Sequence, residues 1–185
     1  MPGLASAAIR AARLTAVPKR SSSSATGSPA FSPTRTWIGV ASGSALCALN
    51  AAGFDGTRPS VRKAVDWLIS IQNEDGGWGE DCTSYKLDYR GHEPAPSNAS
   101  QTAWALLGLM AAGEVDHPAV ARGIAWLQRM QDESGLWQQD AYVGGGFPRV
   151  FYLRYHGYPK FFPLWALARY RNLRRANDRR VAYGM

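Results

Sequence analysis

The sequence predicts an all-α protein, a partial α/α barrel (toroid) in which inner and outer helices alternate. Three observations predict it. The stretch Lys63–Trp78 occurs again as Arg122–Trp137: Trp67 and Trp126, Gln72 and Gln131, Gly76 and Gly135, and Trp78 and Trp137 each lie 59 residues apart. A fixed period of this length is the signature of a repeat architecture. The period also holds two kinds of helix. Residues 60–72 and 119–131 are amphipathic, whereas 102–113 is apolar nearly all round. The first kind suits an outer layer and the second a buried one. Finally, the small-residue helix 43–53 and the helix 100–113 share an Ala-Ala-Gly ending, 60 residues apart. One inner and one outer helix per period curl into a toroid.

Taken in order, residues 1–36 are rich in Ala, Ser, Pro and Arg, and the first acidic residue of the chain is Asp55. Such a composition is that of an organellar transit peptide or of a non-native start, and either reading expects disorder over a first segment, 1–43. The helical part is expected over 44–173 and a basic tail over 174–185. In 60–71, Val61, Ala64, Val65, Leu68 and Ile71 follow the spacing of one helix face. Pro59 and Pro118 suit the first turn, where a missing N–H costs nothing. Gly76-Gly77 and Gly135 can adopt the left-handed conformation that stops a helix. Trp78 and Trp137 follow that stop, placed to fold back on their own helix or to pack on the next. Gln72 and Gln131 can satisfy terminal carbonyls and reach the amides of a neighbouring helix. These four residues read as structural ties between units.

Residues 79–98 form a long loop containing Tyr85 and Tyr89, and Ser97 or Asn98 is placed to cap the helix beginning near Ala99. A third inner helix is expected over 162–170. Before it lies an aromatic cluster. Phe147, Phe151, Tyr155 and Tyr158 fall at i, i+4, i+8 and i+11, so a helix would carry four rings on one face. Two readings are open: a packed core face, or a wall of π-faces able to stabilise a cation.

The net charge of +7 belongs to the ends. Residues 1–36 carry five basic residues and no acid, and residues 169–185 carry six Arg and one Asp, which leaves the middle at −3. That distribution argues against a nucleic-acid-binding body. The tail is either solvated or placed to touch anionic lipid headgroups. Cys47 and Cys82 sit in no metal or redox motif and read as reduced thiols. The three His are scattered, so no metal site is expected. No apolar run is long enough to span a bilayer.

The helix–turn–aromatic unit, a basic residue, a small residue, an aromatic–aliphatic pair, Gln, then Gly-Trp or Gly-x-Trp, resembles the QW motif of the squalene cyclase family. From about Ser44 to Leu173 the chain is similar to the carboxy-terminal part of a squalene-hopene cyclase. The residues that carry this are Gln72–Asp81, Pro96–Leu106 and Gly146–His156. The resemblance implies a portion of an (α/α)6-type barrel from an enzyme with two such domains. It implies an isomerase in which an Asp-x-Asp-Asp motif protonates a terminal alkene. Squalene, or a related polyprenoid, then cyclises through carbocations in an aromatic-lined cavity to hopene or hopanol. It assigns Phe147 and Phe151 as cation stabilisers and Tyr155 and Tyr158 as residues that shape the pocket. It makes Gln72, Trp78, Gln131 and Trp137 structural, needs no cofactor, and implies peripheral, monotopic contact on the cytoplasmic side of a membrane.

The departures weigh as much. No Asp-x-Asp-Asp occurs in the 185 residues, and no two Asp are adjacent. The general acid is absent, and Trp37-Ile38-Gly39-Val40 only faintly echoes the family's aromatic segment. The expectation is a truncated cyclase portion, inactive alone, that needs a longer chain or a second polypeptide to supply the acid. A catalytically silent helical remnant is the competing reading. A protein prenyltransferase β-like barrel needs zinc held by Asp-x-Cys, and the adjacent Asp81-Cys82 have the wrong spacing. An incomplete barrel is also expected to expose inner-helix apolar surface and to be poorly soluble alone.

Overall fold

In the computed structural model, residues 38–82, 92–146 and 151–175 are described. The amino-terminal segment, Tyr85 and Tyr89, Phe147 and residues 176–185 lie outside them. Five helices and a short hairpin are found there: α1 (Ile38–Ala51), α2 (Pro59–Ser70), α3 (Ala99–Ala111), α4 (Pro118–Arg129), β1 (Gly144–Gly146), β2 (Phe151–Leu153) and α5 (Tyr158–Arg175). The helix α3 packs against both α1 and α5, while α2 and α4 lie outside it. This is an arc of an α/α barrel, with inner helices α1, α3 and α5.

Why α3 is the centre follows from its composition. All of its residues from Ala99 to Ala111 are buried. By contrast α2 buries Val61, Val65 and Leu68 and exposes its opposite face. Small residues let the inner layer close up. A Cβ on Gly108 would lie 2.6 Å from the Gly43 Cα, and one on Gly43 would lie 2.3 Å from the Trp104 carbonyl oxygen. The backbones of α1 and α3 therefore meet directly, and no larger residue fits either position.

The helix ends follow their chemistry. Asn98 caps α3, its side chain accepting from the Gln101 amide at 3.0 Å. Gly113 is left-handed at φ 91°, and the amides of Gly113 and Glu114 return to the Met110 and Leu109 carbonyls. The same pair of bonds closes α1 at Gly53 and Phe54, the Schellman arrangement. Gly76 and Gly135 are left-handed too, but they do not end their helices. Those stop earlier, at Ile71 and Met130. The two glycines instead close the turn that brings each Trp back.

Each Trp does return. The Trp78 Nε1–H donates to the Leu68 carbonyl and the Trp137 Nε1–H to the Leu127 carbonyl, both at 2.8 Å. Gln72 Nε2 donates to the carbonyls of Gly76 at 2.8 Å and Ala119 at 2.9 Å, and Arg122 donates to its Oε1. The expected partner was an amide of the next helix. The partners found are a carbonyl and a guanidinium, because the Pro118 start of α4 presents Ala119 O and Arg122 to this turn. Gln131 closes only its own turn in the described residues, at Gly135 O, 2.7 Å.

Asp75 adds a second tie between α2 and α4. Its carboxylate accepts from the Gly77 amide, Ser97 Oγ and Trp126 Nε1 at 2.7–2.9 Å. Burial pushes the Asp75 carboxyl up, but those donors outweigh it and hold it below the usual range. Asp132 serves the second turn. Ser134, the Leu136 amide and Gln138 bring it down to about 2. A carboxyl depressed on folding contributes stability above its unfolded value, near 3.8, and loses it as pH falls through the folded value. The urea midpoint is therefore expected to fall between pH 4 and pH 2. A D75N/D132N double variant should start lower at pH 7 and show a flatter acid profile. An equally steep profile in the double variant would remove the turns from the acid response. Asp55, lowered by Thr57, keeps that profile from being flat.

Candidate active-site wall

The segment before α5 corrects one expectation. Phe151, Tyr155 and Tyr158 do not share a helical face. Gly144–Gly146 and Phe151–Leu153 pair antiparallel, with Gly146 opposite Phe151 and Gly144 opposite Leu153. Three consecutive glycines gain little from a helix, and Val150–Leu153 is a β-branched and aromatic run that favours a strand. The helix α5 then opens at Tyr158, four residues before the expected start, with Pro159 in its first turn.

The hairpin sends neighbouring side chains to opposite faces. Phe151 is 45% exposed on β2. Tyr155 follows the strand, also 45% exposed, and stacks on Tyr158 at 4.6 Å between centroids and 29° between planes. Tyr155 also lies along β1, its Cε2 3.7 Å from the point a Gly144 Cβ would occupy. Tyr158 meets Trp104 edge-on at 5.5 Å and Phe162 at 5.2 Å, and Phe162 stacks with Trp165 at 6.3 Å. The result is a chain of ring contacts that runs from Tyr155, beside β1, along α5 to Trp165. Tyr155 and Tyr158 are brought together, Phe151 stands on the adjoining strand, and Phe147 falls outside the described residues.

Trp104, Phe162 and Trp165 were not singled out from sequence. Their signal was present as apolar spacing on two inner helices. What the spacing lacked was the way α3 and α5 face each other.

A separate hollow of about 470 Å³ lies on the other side, lined in part by Cys82, Trp126, Trp137, Tyr142 and Tyr152. It carries Glu80, Asp81 and Asp140 on its lining as well. A carbocation placed there would meet carboxylates able to trap it. Both indoles are committed to the staples and the Asp75 tie. The Cys82 Sγ–H donates to the Tyr142 carbonyl at 3.2 Å, and burial, then Asp81 and Glu80, push the thiol up to about 11. The chemistry of this hollow suits a cation less well than that of the aromatic wall does. Among the described residues no group of His, Cys, Asp and Glu could hold a metal ion, and no helix is long and apolar enough to cross a membrane.

Residues 37–172 match the family model of the squalene-hopene cyclase C-terminal domain. The chain belongs to that family. Among curated relatives, the squalene–hopene cyclase of Bradyrhizobium diazoefficiens is 70% identical over 142 residues, 77% of this chain and 22% of its own length. The probable squalene–hopene cyclase of Sinorhizobium fredii is 72% identical over 134 residues, 72% of this chain and 21% of its own. That of Zymomonas mobilis is 68% identical over 142 residues, 77% and 22%. The chain thus spans about a fifth of the length of these cyclases. The α/α barrel arc, the paired QW units and the family match agree.

Proposed function

We propose that this chain supplies one aromatic wall of the cavity in which squalene, or a related polyprenoid, is cyclised through carbocations to hopene or hopanol. The general acid comes from sequence outside these 185 residues, in a longer chain or a second polypeptide. The observation that carries the reading is the stacked Tyr155–Tyr158 pair at the start of α5, with the half-exposed Phe151 on the adjoining strand β2 and Phe147 assigned to the same wall by its motif alone. These rings offer π-faces to positive charge, and Phe151 does so without a nucleophile. Identity near 70% to proteins named squalene–hopene cyclase supports it. Peripheral contact with the cytoplasmic face of a membrane belongs to the same proposal, with the basic end of α5 as the contact. The competing reading, a catalytically silent helical remnant, draws on the missing acid motif.

Complementation separates them. The chain is co-expressed with the part of the Bradyrhizobium cyclase that it does not cover, and given squalene. Pentacyclic product is expected from the pair and from neither piece alone. Phe151→Leu should lower its rate about 30-fold, the equivalent of losing roughly 2 kcal/mol of desolvated cation–π stabilisation. Two folded pieces that yield no product would favour the silent remnant.

A further inference from the structure

We propose that Trp104 is a positioning residue for this wall. It sets the tilt of the Tyr158 ring and, through it, of the Tyr155 ring, without touching the reacting chain. The inference rests on the reading of Phe151, Tyr155 and Tyr158 as a substrate wall.

Trp104 is 5% exposed in the middle of the inner layer. Its backbone is pinned, since Gly43 of α1 lies directly against its carbonyl. Its ring meets Tyr158 at 5.5 Å and 81°, and Phe162 at 5.4 Å and 73°. Tyr158 and Phe162 meet each other at 5.2 Å and 82°. The three rings form a closed triangle of edge-to-face contacts, the arrangement that ring quadrupoles favour. Tyr158 and Phe162 are one helical turn apart, so both face α3 from α5. Rotating any member breaks two contacts of the triangle, and the Trp104 backbone is held from behind by Gly43.

The triangle ends at Tyr158, and Tyr155 stacks outside it at 4.6 Å. The stacked partner inherits the plane of the ring beneath, and Gly144 bounds it on the strand side. A side chain without an aromatic edge at position 104 frees Tyr158 to turn into the vacated space. Tyr155 would then lose its plane although Trp104 meets the pair through Tyr158.

The test uses the 185-residue chain and its W104F and W104L variants, dispersed in a neutral detergent whose own uptake of each ligand is subtracted, and two readouts. One is the aromatic NMR spectrum of Tyr155 and Tyr158, with the indole N–H signals of Trp78 and Trp137 as monitors of the fold. The other is affinity for N,N-dimethyldecylammonium, below its micelle range, against the neutral analogue with carbon in place of nitrogen. W104L is expected to move the Tyr155 resonances as well as those of Tyr158. It should weaken the ammonium about tenfold and leave the neutral analogue unchanged. W104F keeps an aromatic edge and is expected to retain both. If W104L loses the two indole signals, W104M, whose unbranched side chain reaches further and adapts to irregular space, carries the same expectation. A folded variant in which Tyr155 and the ammonium preference stay as in the parent overturns the proposal. A parent chain with no preference for the ammonium instead overturns the wall reading, and the Tyr155 shift still decides the role of Trp104.

Discussion

Replacing Trp78 with alanine is expected to lower the unfolding free energy by about 3–5 kcal/mol, read as a urea midpoint shift. Trp78 is 3% exposed, and its Nε1–H is bonded to the Leu68 carbonyl. Its ring also explains Gly123. A Cβ there would lie 2.7 Å from the Trp78 Cζ3, so α4 keeps a glycine at mid-helix, at roughly 1 kcal/mol of helix propensity, to let the indole lie against it. The backbone of Trp78 is tied as well: its amide donates to Thr102 Oγ1, and its carbonyl accepts from the Asn98 amide. The indole thus joins α2 and α4, and the backbone of the same residue joins them to α3. Trp78→Phe retains most of the ring and should lose about 1 kcal/mol for the indole bond plus some packing. Trp137 makes the same fold-back bond, but its turn is not tied to a following unit in the described residues. Trp137→Ala should therefore cost less than Trp78→Ala. Equal losses of under about 1 kcal/mol at both sites would mean that the repeated aromatic is decorative.

The same residues show what was legible in the sequence. The period of 59 and the two helix types gave the layers, because burial is written in composition: α3 has no polar face to expose. The fold-back of Trp78 and Trp137 was legible as one of two alternatives. Neither the carbonyl of Ala119 nor the carboxylate of Asp75 could be paired with its partner beforehand, since those bonds span 47 and 51 residues. The aromatic segment misled by its spacing. Intervals of four, four and three residues fit a helix face, yet three glycines and a β-branched–aromatic run fit a hairpin, and local backbone preference prevailed. That choice moved Phe151 onto a strand and left Tyr155 and Tyr158 stacked. Their contact with Trp104 is a matter of how two helices meet, which no local pattern carries.

The exposed stripe of α5 should decide the behaviour of the isolated chain. Phe161 is 70% and Leu164 61% exposed, with Trp165 beside them, while Pro163 and Ala166 on the opposite side are buried. These three rows of one helix face lie next to the aromatic wall, where a closed barrel would place another inner helix. The chain is expected to associate in plain buffer and to disperse in detergent. An F161E/L164E variant, which leaves the Phe162–Trp165 stack in place, should run as a monomer without detergent, with its stability changed by no more than about 0.5 kcal/mol, since exposed positions contribute little. The helix carries Lys160, Arg169, Arg171, Arg174 and Arg175 and no acid, so two coverings of the stripe predict different salt responses. Binding to vesicles containing anionic lipid would run through the basic end, at about 1 kcal/mol per charge near the surface, and fade with salt. Docking of the remaining barrel buries apolar surface and persists in salt. A parent chain that is monodisperse and monomeric in plain buffer would contradict both and leave the stripe as ordinary surface.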